Sequence, residues 1–221
     1  MSPEVSATFD EWLKWAFDHP VAENTSDEWW WHEPDEDEGG RWLDRPPIPA
    51  LTFVTKLFEN PLTYLSEYSD AQIDQGLWFI VGMSNSKHFE WVVEGRVDLG
   101  LRKRCVRSIE NLSRELFAPR CSDEVINGTK PLDSICYMLW DLAIHDKVLD
   151  AEIGREAVNT LARIITIPSI ACQQSALHRL GHLVDDARIG CDIIQKYLDD
   201  HPVLRGDIRK YAERALLGKV L

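Results

Sequence analysis

The chain lacks what a membrane protein or a secreted disulfide scaffold needs. Apolar runs such as LWFIV (77–81) fall far short of a bilayer span. The opening MSPEVSATFDEW has neither the basic start nor the apolar stretch of a signal peptide. Five cysteines (105, 121, 136, 172 and 191) make an odd number at wide spacings, with no C-x-x-C. Most sit among apolar neighbours in helical patterns, as buried thiols do, so the expectation is a soluble cytoplasmic protein of a reducing compartment. Gly-x-Ser-x-Gly, the phosphate-cradling loop and Gly-x-Gly-x-x-Gly are all missing, which removes a nucleophile elbow and a nucleotide cradle.

Positive charge is scarcest in the first fifty residues, where 13 acids face only Lys14, Arg41 and Arg45. The other 171 residues hold 24 acids and 21 bases, so the net charge of −13 belongs mainly to the N-terminal fifth. A field of that sign repels nucleic acid and anionic membrane and attracts basic surfaces. Neither direct nucleic-acid binding nor membrane binding is expected. The one basic cluster, Arg102, Lys103, Arg104 and Arg107, reads alone as a phosphate patch. Beside so acidic a segment it reads more simply as internal counter-charge or a solvated helix face.

What the chain does have is helical periodicity. Apolar residues recur at three- and four-residue spacing, with little alternation of period two. Thr8 and Glu11 form a capping-box pattern ahead of a stripe of Phe9, Trp12, Leu13, Ala16 and Phe17, which predicts a helix over 8–18. Further helices are expected over 49–59, 61–67, 70–83, 87–94, 99–118 and 131–145, with a loop over 119–130. Residues 20–47, with four prolines, Gly39-Gly40 and the acid run, are expected to be irregular. The domain reading is a segment 1–47 followed by a helical domain 48–221.

The last seventy residues repeat. DAEIG (150–154) returns as DARIG (186–190), a spacing of 36. Val158 matches Ile194, Leu161 matches Tyr197, Ala162 matches Leu198, Ala176 matches Ala212, Leu180 matches Leu216 and Val184 matches Val220. Helix starts are expected near 151, 169, 187 and 205, giving two helical hairpins of equal length. Over 150–221 this period and apolar pattern resemble the HEAT and armadillo helical repeats. The resemblance does not continue cleanly upstream, where ELFAPR (115–120) shares nothing with AEIGRE. It implies an all-α fold, a short solenoid or solenoid-like stack of antiparallel helix pairs whose concave face binds other proteins, and no catalytic residues. The plainer alternative is an irregular helical bundle with one duplicated hairpin.

Four stretches could carry chemistry or contacts. In SALHRLGHL (175–183), Ser175, His178 and His182 lie opposite an apolar arc of Cys172, Ala176, Leu177, Leu180, Leu183 and Val184. Histidines at i and i+4 can chelate a metal, but the zinc-protease pattern needs Glu after the first His, and here Arg179 stands there. A third ligand would have to come from His145, Asp146, Asp185 or Asp186. The preferred reading assigns no metal and no cofactor, and makes Ser175, His178 and His182 partner contacts. In CYMLWDLAIHD (136–146), Cys136 reads as an inert thiol on a helix core face rather than a nucleophile. SNSK (84–87) fits Ser-x-x-Lys only formally, in a loop between helices.

The fourth stretch is WWWHEPDEDEGG (29–40). As a clasp, some of Trp29, Trp30, Trp31 and Trp42 fill apolar gaps on the helical body while the acids stay in water. As a binding edge, an exposed ring and the carboxylates of Asp35, Glu36, Asp37 and Glu38 face a basic partner. Together these features point to a non-enzymatic protein-binding module for a partner with a basic surface, most concretely an acidic inhibitor of immunity type. The alternatives are a metal-dependent enzyme using His178 and His182, and a structural subunit of a larger assembly.

Overall fold

The computed structural model describes residues 8–21, 28–31, 47–125, 129–144, 151–187 and 189–220. Among them the regular structure is helical throughout. Helix α1 (Phe9–Phe17) begins with the expected reciprocal cap: Glu11 N–H donates to Thr8 Oγ1 at 3.3 Å and Thr8 N–H to Glu11 Oε2 at 2.8 Å. Its five expected stripe residues are all buried. A short 3₁₀ turn covers Trp29–Trp31. Helices α2 (Pro47–Glu59) and α3 (Pro61–Leu65) both open on proline, whose missing N–H costs nothing in a first turn. In α4 (Asp70–Val81), Ser69 and Gln72 form a second capping box. Gly76 lets α1 approach α4 closely, because a Cβ there would lie 2.3 Å from the Phe17 ring and 2.8 Å from the Ala16 carbonyl oxygen.

Two elements differ from the sequence expectation. The helix expected over 87–94 shrinks to α5 (Glu90–Val93). His88 turns into the core, where Trp12 Nε1–H donates to its Nε2 at 2.9 Å, and Arg102 Nε–H takes the Val92 carbonyl at 2.7 Å. A guanidinium bound to the last carbonyls stops the helix. The second difference is α6 (Leu99–Asn111), which continues through a π-helical turn, Leu112–Phe117, into the short α7 (Ala118–Arg120). Pro119 would collide with the carbonyl four residues back in an ordinary helix, and the wider turn just before it relieves that collision.

Helix α8 (Leu132–Ala143) is followed by α9 (Ala151–Ile164), α10 (Ile170–Ala187), α11 (Ile189–Asp200) and α12 (Gly206–Ala215). The four expected starts lie within two residues of the observed ones, but the lengths are unequal. Helix α10 has 18 residues and α12 has 10, with a single residue between α10 and α11. Gly190 lets α11 approach α10 closely: a Cβ there would lie 2.2 Å from the Leu180 carbonyl oxygen. Neighbour relations run in two rows. Helices α2, α6 and α9 lie side by side, as do α4, α8, α10 and α12, and α11 packs on α10. The buried side chains of both rows form one continuous core. No described helix is long and apolar enough to cross a membrane.

Candidate functional site

Helix α10 lies between α8, α11 and α12, so both of its faces meet protein. On the apolar side Cys172, Ala176, Leu177 and Leu180 are fully buried. The polar side is also largely enclosed. Ser175 and His178 are 4% and 3% exposed, and Ser175 Oγ–H donates to the Cys136 carbonyl at 2.5 Å. Only the third residue of that face, His182, opens to solvent, its side chain 39% exposed. Of the three contacts expected for a partner, then, the structure places two inside the molecule and one at its surface.

The polar side of α10 meets a matching pair on α8. Tyr137 and Asp141 stand four residues apart on one face of α8, opposite His178 and His182 on α10. His178 Nε2 lies 2.7 Å from Asp141 Oδ2, and His182 Nε2 lies 3.2 Å from His178 Nε2 and 3.7 Å from the same Asp141 oxygen. On the far side of the His178 ring, Nδ1 is 2.7 Å from the Tyr137 hydroxyl and 3.0 Å from that of Tyr211 on α12, and the two hydroxyls are 3.0 Å apart. Arg179 Nη1 reaches the other Asp141 oxygen, Oδ1, at 3.4 Å.

This arrangement has clear electrostatic consequences. Burial alone would raise the Asp141 carboxyl, but the His178 hydrogen bond and the neighbouring His178, His182 and Arg179 hold it below its ordinary value. Burial pushes both phenols up, Tyr211 furthest, with Tyr137 beside it adding to the effect. Both tyrosines therefore remain hydroxyls, able to donate or accept toward Nδ1. Sequence reasoning found the histidine pair and missed Tyr137, Asp141 and Tyr211. The i, i+4 spacing of Tyr137 and Asp141 was readable, but nothing along the chain announces that α8 and α12 converge on α10. Of the third ligands expected from sequence, His145, Asp146 and the side chains of Asp185 and Asp186 lie outside the described residues.

Cys136 is 3% exposed on the core side of α8, facing the thiols of Cys121 and Cys172. Those two hydrogen bonds, with burial, push its thiol well above the ordinary range, the opposite of what a nucleophile requires. SNSK (84–87) lies in the loop between α4 and α5, where Ser86 Oγ is 2.8 Å from His88 Nδ1.

The basic cluster on α6 is committed inside the protein. Arg104 forms a two-pronged pair with Glu59 of α2 at 2.6 and 2.7 Å, and Arg107 a similar pair with Glu156 of α9 at 3.0 Å on both arms. Lys103 meets Glu152 of α9 at 2.5 Å, and Arg102 caps α5 as described. The counter-charges come from neighbouring helices of the same row.

At the acidic end, Trp29 stacks on His19 with ring centres 4.0 Å apart and meets Trp15 edge-on at 5.1 Å. Phe79 of α4 lies 4.7 Å from Trp29 and 5.8 Å from Trp30, so both tryptophans rest half-buried on the body. Their indole Nε1 atoms are buried without a hydrogen-bond partner. The side chain of Trp31, all of Trp42 and the acids Asp35, Glu36, Asp37 and Glu38 lie outside the described residues. Searches of family models, curated proteins and solved structures return no match to this chain.

Proposed function

We propose that the chain is a non-enzymatic protein-binding module whose acidic N-terminal segment docks a partner with a basic surface. The observation that carries this reading is the division of charge. The basic side chains of α6 are engaged by Glu59, Glu152 and Glu156, while the −10 of the first fifty residues is not matched by free basic charge on that helix. Trp29 and Trp30, which precede the acid run in sequence, pack against Trp15 of α1 and Phe79 of α4. A carboxylate cluster steers a basic surface toward it, which speeds encounter. In its most concrete form the module is an acidic inhibitor of immunity type, covering the basic site of its target.

The scaffold in this proposal is a short solenoid-like stack in which the row α2, α6 and α9 lies beside the row α4, α8, α10 and α12, with α9 and α10, and α11 and α12, as its contacting helix pairs. Support comes from the two rows of neighbours and from shared burial at matched repeat positions, Leu161 with Tyr197 and Ala176 with Ala212. On this reading the stack extends upstream of the sequence repeat.

The test is capture of partners from a lysate at low and high salt. It compares wild type with the quadruple variant Asp35→Asn, Glu36→Gln, Asp37→Asn, Glu38→Gln and with an equally neutralised control at exposed Glu67, Asp192, Asp199 and Glu213. The expected result is a basic protein retained by wild type and control at low salt, and lost from the quadruple variant and at high salt. Equal capture by all three proteins, insensitive to salt, overturns the proposal. The runner-up, a metal-dependent enzyme, is favoured by the convergence of Asp141 on the histidine pair and first requires that a metal bind.

A further inference from the structure

We infer that Asp141, His178 and His182 form a binding site for one divalent transition-metal ion of the zinc class, bridging α8 and α10. Their ligand atoms are the one group of three or more that the described residues bring together in this way, all within 4.8 Å of one another. The edges of the triangle, 2.7, 3.2 and 3.7 Å, bracket the roughly 3.3 Å that separates two ligands in a tetrahedral zinc shell. The circle through the three atoms has a radius of about 1.9 Å, just under the zinc–ligand bond length of about 2.0–2.2 Å. One ion slightly out of their plane therefore reaches all three at bonding distance without moving a helix.

The surroundings suit a metal as well as the triangle does. A ligating histidine needs its second nitrogen held by a hydrogen-bonding partner, and the Tyr137 and Tyr211 hydroxyls stand at His178 Nδ1 for that purpose. Without metal, His178 can carry its proton on Nε2 toward Asp141 and accept from a tyrosine. With metal, the proton sits on Nδ1 and the hydroxyls reverse direction. Tyrosine tolerates both, since a hydroxyl donates and accepts. Two nitrogens and one oxygen favour zinc, cobalt, nickel or copper over magnesium and calcium, which prefer oxygen alone. The partial exposure of His182 and Asp141 leaves the fourth position open to water. Arg179 sets the limits. It contacts Asp141 Oδ1, which leaves Oδ2 as a single ligand atom, and its charge weakens the site relative to one without a neighbouring cation.

This inference does not depend on the docking proposal, and its readout is metal binding alone. Full-length protein is stripped with chelator and titrated with Zn²⁺ calorimetrically and with Co²⁺ by visible absorbance. The expected result is one ion per chain, a tetrahedral cobalt spectrum displaced by zinc, and a raised melting temperature with zinc. His182→Ala, at a partly exposed position, should keep the fold and lose at least tenfold in affinity, as should Asp141→Asn. Tyr137→Phe should weaken binding by less. His201→Ala, whose ring bonds the Tyr197 carbonyl elsewhere, should bind as wild type. Absence of stoichiometric zinc binding at micromolar concentration overturns the assignment, as does a cobalt spectrum unchanged by His182→Ala.

Discussion

Asp74 on α4 is an acid placed where its charge is costly. One of its oxygens, Oδ1, is buried without a hydrogen-bond partner. Burial raises its carboxyl from 3.8 to about 7, with the negative charge of Glu28 adding to the rise and a Trp78 hydrogen bond opposing it. Between those two values the folded chain holds a proton that the unfolded chain has released. Stability therefore falls as pH rises through that window, by on the order of 2–4 kcal/mol. Asp74→Asn, which cannot ionise, should be more stable than wild type at pH 8 by about 2 kcal/mol and nearly equal to it at pH 4. Urea unfolding at the two pH values measures this, and an equal difference at both would refute the assignment. Nothing along the sequence marks Asp74, because its burial is made by elements distant in the chain. The tryptophans beside Glu28 were legible as anchors from composition, but the two orphan indole N–H groups were not.

At the scale of elements, local signals were read well and contacts between elements were not. The Thr8–Glu11 box and the stripe of α1 act within one helix and stand where the sequence put them, whereas Pro47, expected at the end of the irregular segment, opens α2 instead. The π turn, the shortness of α5 and the third corner of the metal triangle depend on packing partners up to tens of residues away. The basic cluster of α6 illustrates the difference, since four similar residues in sequence have unlike roles in space. Arg102 is 3% exposed and binds backbone carbonyls of Val92 and Val93, whereas Arg104 is a surface side chain paired with Glu59. Arg102→Met leaves those carbonyls without their donor and should cost about 2 kcal/mol or more. Arg104→Ala removes an exposed ion pair and should cost at most about 1 kcal/mol, less in high salt. Chemical denaturation of the two variants side by side checks the ranking, and equal losses would contradict this division of roles.

For the whole molecule, the question is whether stability is shared evenly or graded along the rows. In a stack, each pair is held chiefly by its neighbours, and an end pair has a neighbour on one side only. Helices α6 and α8 are each flanked on both sides, by α2 and α9 and by α4 and α10. The pair α11 and α12 closes the C-terminal end, resting mainly on α10. Native-state hydrogen exchange on the intact protein should then find the amides of α11 and α12 opening at clearly lower free energy than those of α6 and α8. A bundle with one indivisible core predicts the opposite, a common opening energy for all four, because loss of any helix exposes the shared interior. If zinc bridges Asp141 and His182 as inferred, its addition should slow exchange in α8 and α10 more than in α11, since the ion ties two inner helices and touches neither member of the end pair. Uniform protection without metal would remove the stack, and a uniform response to metal would remove the bridge. The two ideas can therefore fail separately in one experiment.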